Sequence, residues 1–190
     1  MSVALAQPIE AQYLRLNLGC GRDIKPGWVN VDVYGDADVK HDLSIRPWPF
    51  ADNSTCDVML HNVMEHLPDT CAVMRELYRI CVNDAVIRIA VPHPLNDDFV
   101  SDPTHVSRIT GRTMQAFSKK FCDLVKYDAN NPLAYLNDVD FEITSHTYVM
   151  EKEWMKRKES GELNEQQLLH AIRTFNNVVK QIEMTLKVVK

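Results

Sequence analysis

Apolar and polar positions alternate along the first half of the chain in short bursts, each closed by glycine, proline or an Asp/Asn cluster. Leu14–Leu18 and Val29–Val33 read as two strands. Asp57–His61 reads as a third, after the turn-like Ala51-Asp52-Asn53-Ser54. Ala85–Val91 is nearly all apolar and ends at Pro92, the pattern of a strand buried on both faces of a parallel sheet. Between the last two, Val73, Leu77 and Ile80 fall on one helical face, so the spacing predicts a helix from Asp69, its N-cap, to Val82. Strand, helix and strand in that order require a right-handed parallel crossover. The four strands therefore predict a doubly wound α/β sheet, in which ligands sit beyond the carboxyl ends of the strands.

The second half is less regular. Residues 93–138 read as an irregular insertion with a helix over Thr110–Phe121 and a loop over Tyr127–Asp138 that contains Asn130-Asn131-Pro132. Asp140–Met150 reads as a strand, followed by a charged helix over Met150–Lys158 that Gly161 ends, and a helix over Asn164–Asn177. The final stretch carries both periods. Leu168, Ile172, Phe175, Val179 and Ile182 step as on a helix, while Ile182, Met184, Leu186 and Val188 alternate with Glu183, Thr185 and Lys187. The β-branched residues and the Asn176-Asn177 break favour helix followed by strand. The expected organisation is one domain over 1–190: a core over 14–92, the insertion over 93–138, and a strand–helix–strand unit over 139–190.

Composition adds bounds. Hydrophobic content of 45% and a net charge of −5 fit a soluble domain with no general attraction to a phosphate backbone, so nucleic acid is disfavoured as a partner. Five cysteines without a CxxC pair point to a reducing cytoplasm rather than a disulfide framework. The apolar run Val3–Ala6 is too short for a secretory signal, and no stretch reaches membrane-spanning length.

The chemistry-bearing residues gather at the predicted strand ends. Asn17-Leu18-Gly19-Cys20-Gly21 forms a glycine turn after the first strand, and Asp32 stands near the end of the second. Glycines admit a ligand close to the backbone, and a carboxylate accepts hydrogen bonds from ribose hydroxyls. His61-Asn62 and Pro92-His93 close the next two strands. Ten residues separate Gly21 from Asp32. A dinucleotide site places its acid about 20 residues beyond the glycines, so the spacing argues against NAD.

With these positions the sequence resembles the class I S-adenosylmethionine-dependent methyltransferases, of the small type grouped as type 11. The resemblance spans residues 14–92 and rests on four segments in order. These are Asn17–Gly21, Asp32, Asp42-Leu43 with Pro47-Trp48-Pro49-Phe50, and Val63-Met64-Glu65-His66-Leu67. It implies a Rossmann-like methyltransferase fold, mostly parallel, with an antiparallel C-terminal strand. It further implies S-adenosyl-L-methionine as cofactor, held by Asn17, Gly19, Cys20, Gly21, Asp32, Asp42, Leu43, His61 and Asn62. Arg22 stands where the family often has a third glycine, and Asn17 where an acid is common.

Methyl transfer needs a base only where the acceptor is protonated. His66 and His105 are the candidates by placement, with His61 and His93 behind them, and each is equally compatible with a histidine that merely closes a strand or opens a helix. Glu65 reads either as a carboxylate at a helix start or as a group that orients a neighbour. A metal centre of His93, His105 and Asp102 lacks tight ligand spacing, so no metal is expected. The acceptor pocket is expected from His61–His66, His93 and the segment up to Tyr135. A small-molecule acceptor leads. A non-catalytic cofactor-binding module and an RNA methyltransferase are the alternatives, and a stripe from Leu168 leaves room for an oligomer.

Overall fold

The computed structural model describes residues 13–125 and 132–190. The run Val3–Ala6 and the residues 127–131 of the expected loop lie outside them. Seven strands are described: β1 (Leu14–Leu18), β2 (Val29–Asp32), β3 (Val39–Lys40), β4 (Thr55–His61), β5 (Cys81–Pro92), β6 (Phe141–Met150) and β7 (Val179–Val188). They form one sheet in the order β3-β2-β1-β4-β5-β7-β6. The first five are parallel, and β7 runs antiparallel between β5 and β6. Leu16, Leu18, Val58, Leu60, Ile87 and Ile89 are fully buried along the three central strands, of which β5 carries the near-continuous apolar run.

Helix α1 (Thr70–Ile80) makes the crossover from β4 to β5. Its start is the expected one: the Asp69 carboxylate accepts a hydrogen bond from Ala72 N–H at 2.9 Å. Val73, Met74, Leu77 and Ile80 bury its inner face. Asp69→Ala, by removing the cap, should lower unfolding free energy by about 1 kcal/mol in a urea titration.

Three details differ from the sequence expectation. Strand β5 begins at Cys81, directly after α1, and its pairing with β4 jumps from Thr55–Cys81 to Asp57–Val86, so the residues between bulge out. The expected helix over Thr110–Phe121 is two short ones, α3 (Gly111–Gln115) and α4 (Lys119–Leu124). Ser118 splits them, because its hydroxyl accepts from Phe121 N–H and starts a new helix. The two expected helices of the C-terminal unit are α6 (Lys152–Glu159) and α7 (Glu165–Thr174). Leu168 of the supposed exposed stripe is buried with Ala171 and Val178 in a small cluster of its own.

The ambiguous tail resolves as helix followed by strand. Helix α7 ends at Thr174, where Phe175 turns extended (φ −112°, ψ 148°), and a left-handed Asn177 (φ 57°) precedes β7. Val179, Ile182, Met184, Leu186 and Val188 then point inward along β7. Two short helices complete the described elements, α2 (Asp97–Val100) after β5 and α5 (Leu133–Leu136) before β6. No helix among the described residues is long and apolar enough to cross a membrane.

The site follows from strand order. Connections leave β1 toward β2 on one side and enter β4 on the other, so β1/β4 is the topological switch point. Leu18 pairs with Val31 and with Leu60, which brings Gly19, Asp32 and His61 to one edge of the sheet.

Candidate functional site

The turn after β1 is held open by its own backbone. Gly19 and Gly21 both adopt positive φ (64° and 51°), a region costly to residues with a Cβ. At Gly19 space is short as well, since a Cβ there would lie 2.4 Å from Val63 Cγ2. Asp32 closes the turn: Gly21 N–H donates to one carboxylate oxygen at 2.8 Å and Tyr34 N–H to the other at 3.0 Å. Beside it lies a cavity of about 440 Å³, within the size range of small-ligand sites. Gly19, Asp32, Asp42, Leu43, Asn62 and His66 line it, together with Tyr34 and with Val63 beside Gly19.

The other residues marked in the sequence divide. Asn17 is buried, and its amide donates to Asp23 carbonyl (2.7 Å) and Asn30 Oδ1 (3.0 Å), so it braces the loop from beneath. Cys20 is buried, and its N–H donates to Val31 carbonyl at 3.1 Å. Burial, then the nearby Asp32, raises its thiol pKa. Asp42 reaches the cavity wall with one oxygen engaged by the Ser44 N–H (2.8 Å) and hydroxyl (2.7 Å), bonds that hold its carboxyl below the usual range. Leu43 is a buried wall residue whose carbonyl accepts from Trp48 Nε1 at 3.1 Å. Trp48 is thereby part of the core beneath the wall. His61 ends β4 but does not line the cavity; burial, then Lys25, pushes its pKa down.

A second cavity, of about 420 Å³, adjoins the first through two shared lining residues, Asn62 and His66. Glu65, Asp102 and His105 line it. Their meeting is fixed by the backbone. Glu65 lies in the 3-10 turn Met64–His66, and its carbonyl accepts from both Val106 N–H (2.9 Å) and Ser107 N–H (3.0 Å). Ser107 in turn donates to Leu67 carbonyl at 2.6 Å. The Asp102-Pro103-Thr104-His105 segment is therefore stitched onto the Glu65-His66 turn, nearly 40 residues away in sequence.

The hydrogen bonds define the imidazoles. His105 Nδ1 lies 2.9 Å from Phe99 carbonyl, which only accepts, so Nδ1 carries the proton. The Thr104 hydroxyl donates to Asp102 at 2.6 Å and therefore accepts from His66 Nδ1 at 2.9 Å. Both rings are left with a lone pair on Nε2. The Thr104 hydroxyl and N–H also hold the Asp102 carboxyl below its ordinary range. Glu65 is 1% exposed, and both its carboxylate oxygens are buried without a hydrogen-bond partner. Burial pushes its pKa up to about 7.

The structure thus brings His66 and His105 together, ring centroids 4.7 Å apart. It does not bring His93 to them. That ring packs edge-on against Tyr148 with centroids 5.9 Å apart, and its Nδ1 accepts from Leu95 N–H. Tyr135 hydrogen-bonds Asp123 on α4 and does not line the second cavity. Thr104 and Val63 were not marked by sequence reasoning as site residues. The signal for Thr104 was its place beside His105; Val63 stood within the segment Val63–Leu67, but its steric contact with Gly19 left no trace there.

The strand order, the antiparallel β5-β7-β6 edge and the glycine turn at the switch point together define the class I, Rossmann-like fold of S-adenosylmethionine-dependent methyltransferases. No protein-family model matches the chain, and no curated protein matches it in sequence. Solved structures do match in three dimensions. The YcgJ protein from Bacillus subtilis aligns over 95% of this chain and 93% of its own, with a TM-score of 0.56 and 16% identity. A SAM-dependent methyltransferase from Archaeoglobus fulgidus aligns over 93% and 87%, with a TM-score of 0.52 and 17% identity. A chain from the complex formed with the Trm112 methyltransferase activator of Haloferax volcanii aligns over 96% and 85%, with a TM-score of 0.51 and 14% identity. The shared feature is the fold.

Proposed function

We propose that this chain is a methyltransferase that uses S-adenosyl-L-methionine and acts on a small-molecule acceptor. The observation that carries the reading is the pair of cavities that meet at Asn62 and His66. One is bounded by the glycine turn and Asp32, the other by polar and ionisable groups.

The residues suit the cofactor. The close approach at Gly19 leaves backbone where a side chain would otherwise stand. Each Asp32 oxygen has one backbone donor and keeps a second lone pair for a ribose hydroxyl. Asp42 and Leu43 offer an acceptor and an apolar wall for the base. The sulfonium cofactor supplies an activated methyl group and its own leaving group. An acceptor lone pair forms the new bond to the methyl carbon while the electrons of the sulfur–carbon bond remain on sulfur, giving S-adenosylhomocysteine. The protein's part is to hold the acceptor in line and keep water out, a contribution on the order of 7–11 kcal/mol. Nε2 of His66 or His105 is positioned to receive a proton from a hydroxyl acceptor in the second cavity.

Isothermal titration should give one-to-one binding of S-adenosylhomocysteine in the micromolar range and no heat with NAD. The reverse result would sink the reading. Incubation with methyl-labelled cofactor and a metabolite extract should move label into the small-molecule fraction. Label appearing only in RNA or protein would reassign the acceptor, and binding without transfer would leave a cofactor-binding module.

A further inference from the structure

Glu65 poses a problem that methyl transfer alone does not solve. A carboxylate whose two oxygens are both buried and both unpartnered is costly, because neither water nor a donor replaces the lost hydration. Beside it stand two imidazoles whose Nδ1 atoms are engaged, so that each neutral ring presents its Nε2 lone pair. Three electron-pair donors face one another with nothing between them. One ligand atom from each of Glu65, His66 and His105 lies within 4.8 Å of the others, and this is the one such group among the described residues.

We infer that Glu65, His66 and His105 form a binding site for a divalent transition-metal ion, of which Zn²⁺ is the best match. One carboxylate and two neutral imidazoles are a donor set of open zinc centres, which keep a further position for an exogenous ligand. An ion about 2.0–2.2 Å from each atom would draw the three together and give Glu65 the positive partner it lacks. The surroundings are those of metal-bound histidines. Each imidazole donates Nδ1–H to a fixed oxygen, His105 to Phe99 carbonyl and His66 to Thr104, which is tied to Asp102. Asp102 Oδ2 lies 3.7 Å from His105 Nε2 and adds a negative charge beside the cluster. Lys180, the cation on this cavity, is drawn aside by Asp98 at 3.6 Å.

The site stands on its own geometry. If methyl transfer is also correct, the open position lies in the second cavity, where a bound acceptor hydroxyl would lose its proton more readily and the ion would do the work otherwise asked of an imidazole. This last clause alone rests on the proposed function.

The test uses the full chain, stripped of metal, with Zn²⁺ alone in calorimetry and Co²⁺ alone in absorption. The expected result is one equivalent bound, with a cobalt spectrum of nitrogen and oxygen ligation. Glu65→Gln and His105→Asn should each weaken binding by at least about 100-fold, since outer-shell losses alone cost about 10–100-fold. Thr104→Val should fall within that outer-shell range. Circular dichroism of each variant checks that it is folded, and Glu65→Gln relieves rather than creates a buried charge. No saturable binding, undiminished binding in the folded Glu65→Gln and His105→Asn proteins, or a thiolate-to-cobalt band from the cysteines would each overturn the site. Titrating S-adenosylhomocysteine with EDTA present reads the other cavity, so failure of one proposal is visible apart from failure of the other.

Discussion

Gly19→Ala should both unfold the protein more easily and remove S-adenosylhomocysteine binding. Two penalties combine at this position. The residue holds φ at 64°, and its new methyl would meet Val63 Cγ2 at 2.4 Å. Left-handed backbone with a Cβ costs about 1–2 kcal/mol and overpacking about 1–3 kcal/mol, a combined loss on the order of 3 kcal/mol. Val63 can yield only by moving into the cavity that Gly19 borders, so affinity should drop at least ~10-fold. Gly21→Ala provides the contrast. Its φ is 51° but nothing lies within 4 Å of the added carbon, so only the backbone cost of about 1–2 kcal/mol remains. Gly19→Ala combined with Val63→Ala should recover part of the loss, because the clash disappears. Urea titrations with calorimetry decide the matter. If Gly19→Ala proves as mild as Gly21→Ala, the close approach to Val63 is unimportant.

Glu76→Ala should be the most damaging change away from the cavities. Glu76 is buried on α1 and receives Arg79 Nε (2.9 Å) and Nη2 (2.8 Å), together with Trp48 N–H (2.7 Å). Arg79 also donates to the carbonyls of Phe50 (2.8 Å) and Trp48 (3.1 Å). The network pins the segment that leads from Asp42-Leu43 back to β4. Removing one partner of a buried pair costs about 3–5 kcal/mol, and the partial exposure of Arg79 places the expectation at about 3 kcal/mol. The same change should weaken S-adenosylhomocysteine binding through Leu43, although it touches no cavity residue. Acidity reads the pair independently. Burial pushes the Glu76 pKa up, but Arg79 and the Trp48 N–H outweigh it and leave the carboxyl below its ordinary 4.5. Its contribution is therefore complete above pH 4.5 and drains away as pH falls through the folded-state value. Unfolding free energy measured down the acid limb should decline more gently in Glu76→Gln than in the parent protein. Parallel limbs would remove Glu76 from the account.

The cofactor half of the molecule was largely legible in its sequence because it is written in local terms. Strand, glycine turn and acid follow one another within Leu14–Asp32, and the Asp69 cap announces α1. The second half was legible only in part. Residues 182–188 carry a strand period inside a longer helical one, and the extended Phe175 that closes α7 separates the two. The split at Ser118 depends on one hydroxyl choosing a backbone partner. Glu65 is legible in the sequence as a carboxylate near a helix start or as a group that orients a neighbour, but its burial is not. Its isolation comes from the folding of Thr104–Ser107 over it, a long-range event without a periodic trace. For the same reason His93, which the sequence groups with His105 and Asp102, is found against Tyr148 instead.

Strand β7 is made after β6 yet lies between β6 and β5. As the chain is synthesised, β5 presents a bare hydrogen-bonding edge, and β6 then emerges with no adjacent strand to join. Neither can be closed until residues 179–188 follow. The parallel strands β1–β5 can assemble early, whereas the polypeptide stays open to wrong pairing until β7 inserts. Birth order therefore gives this protein a vulnerable interval, and one late strand ends it.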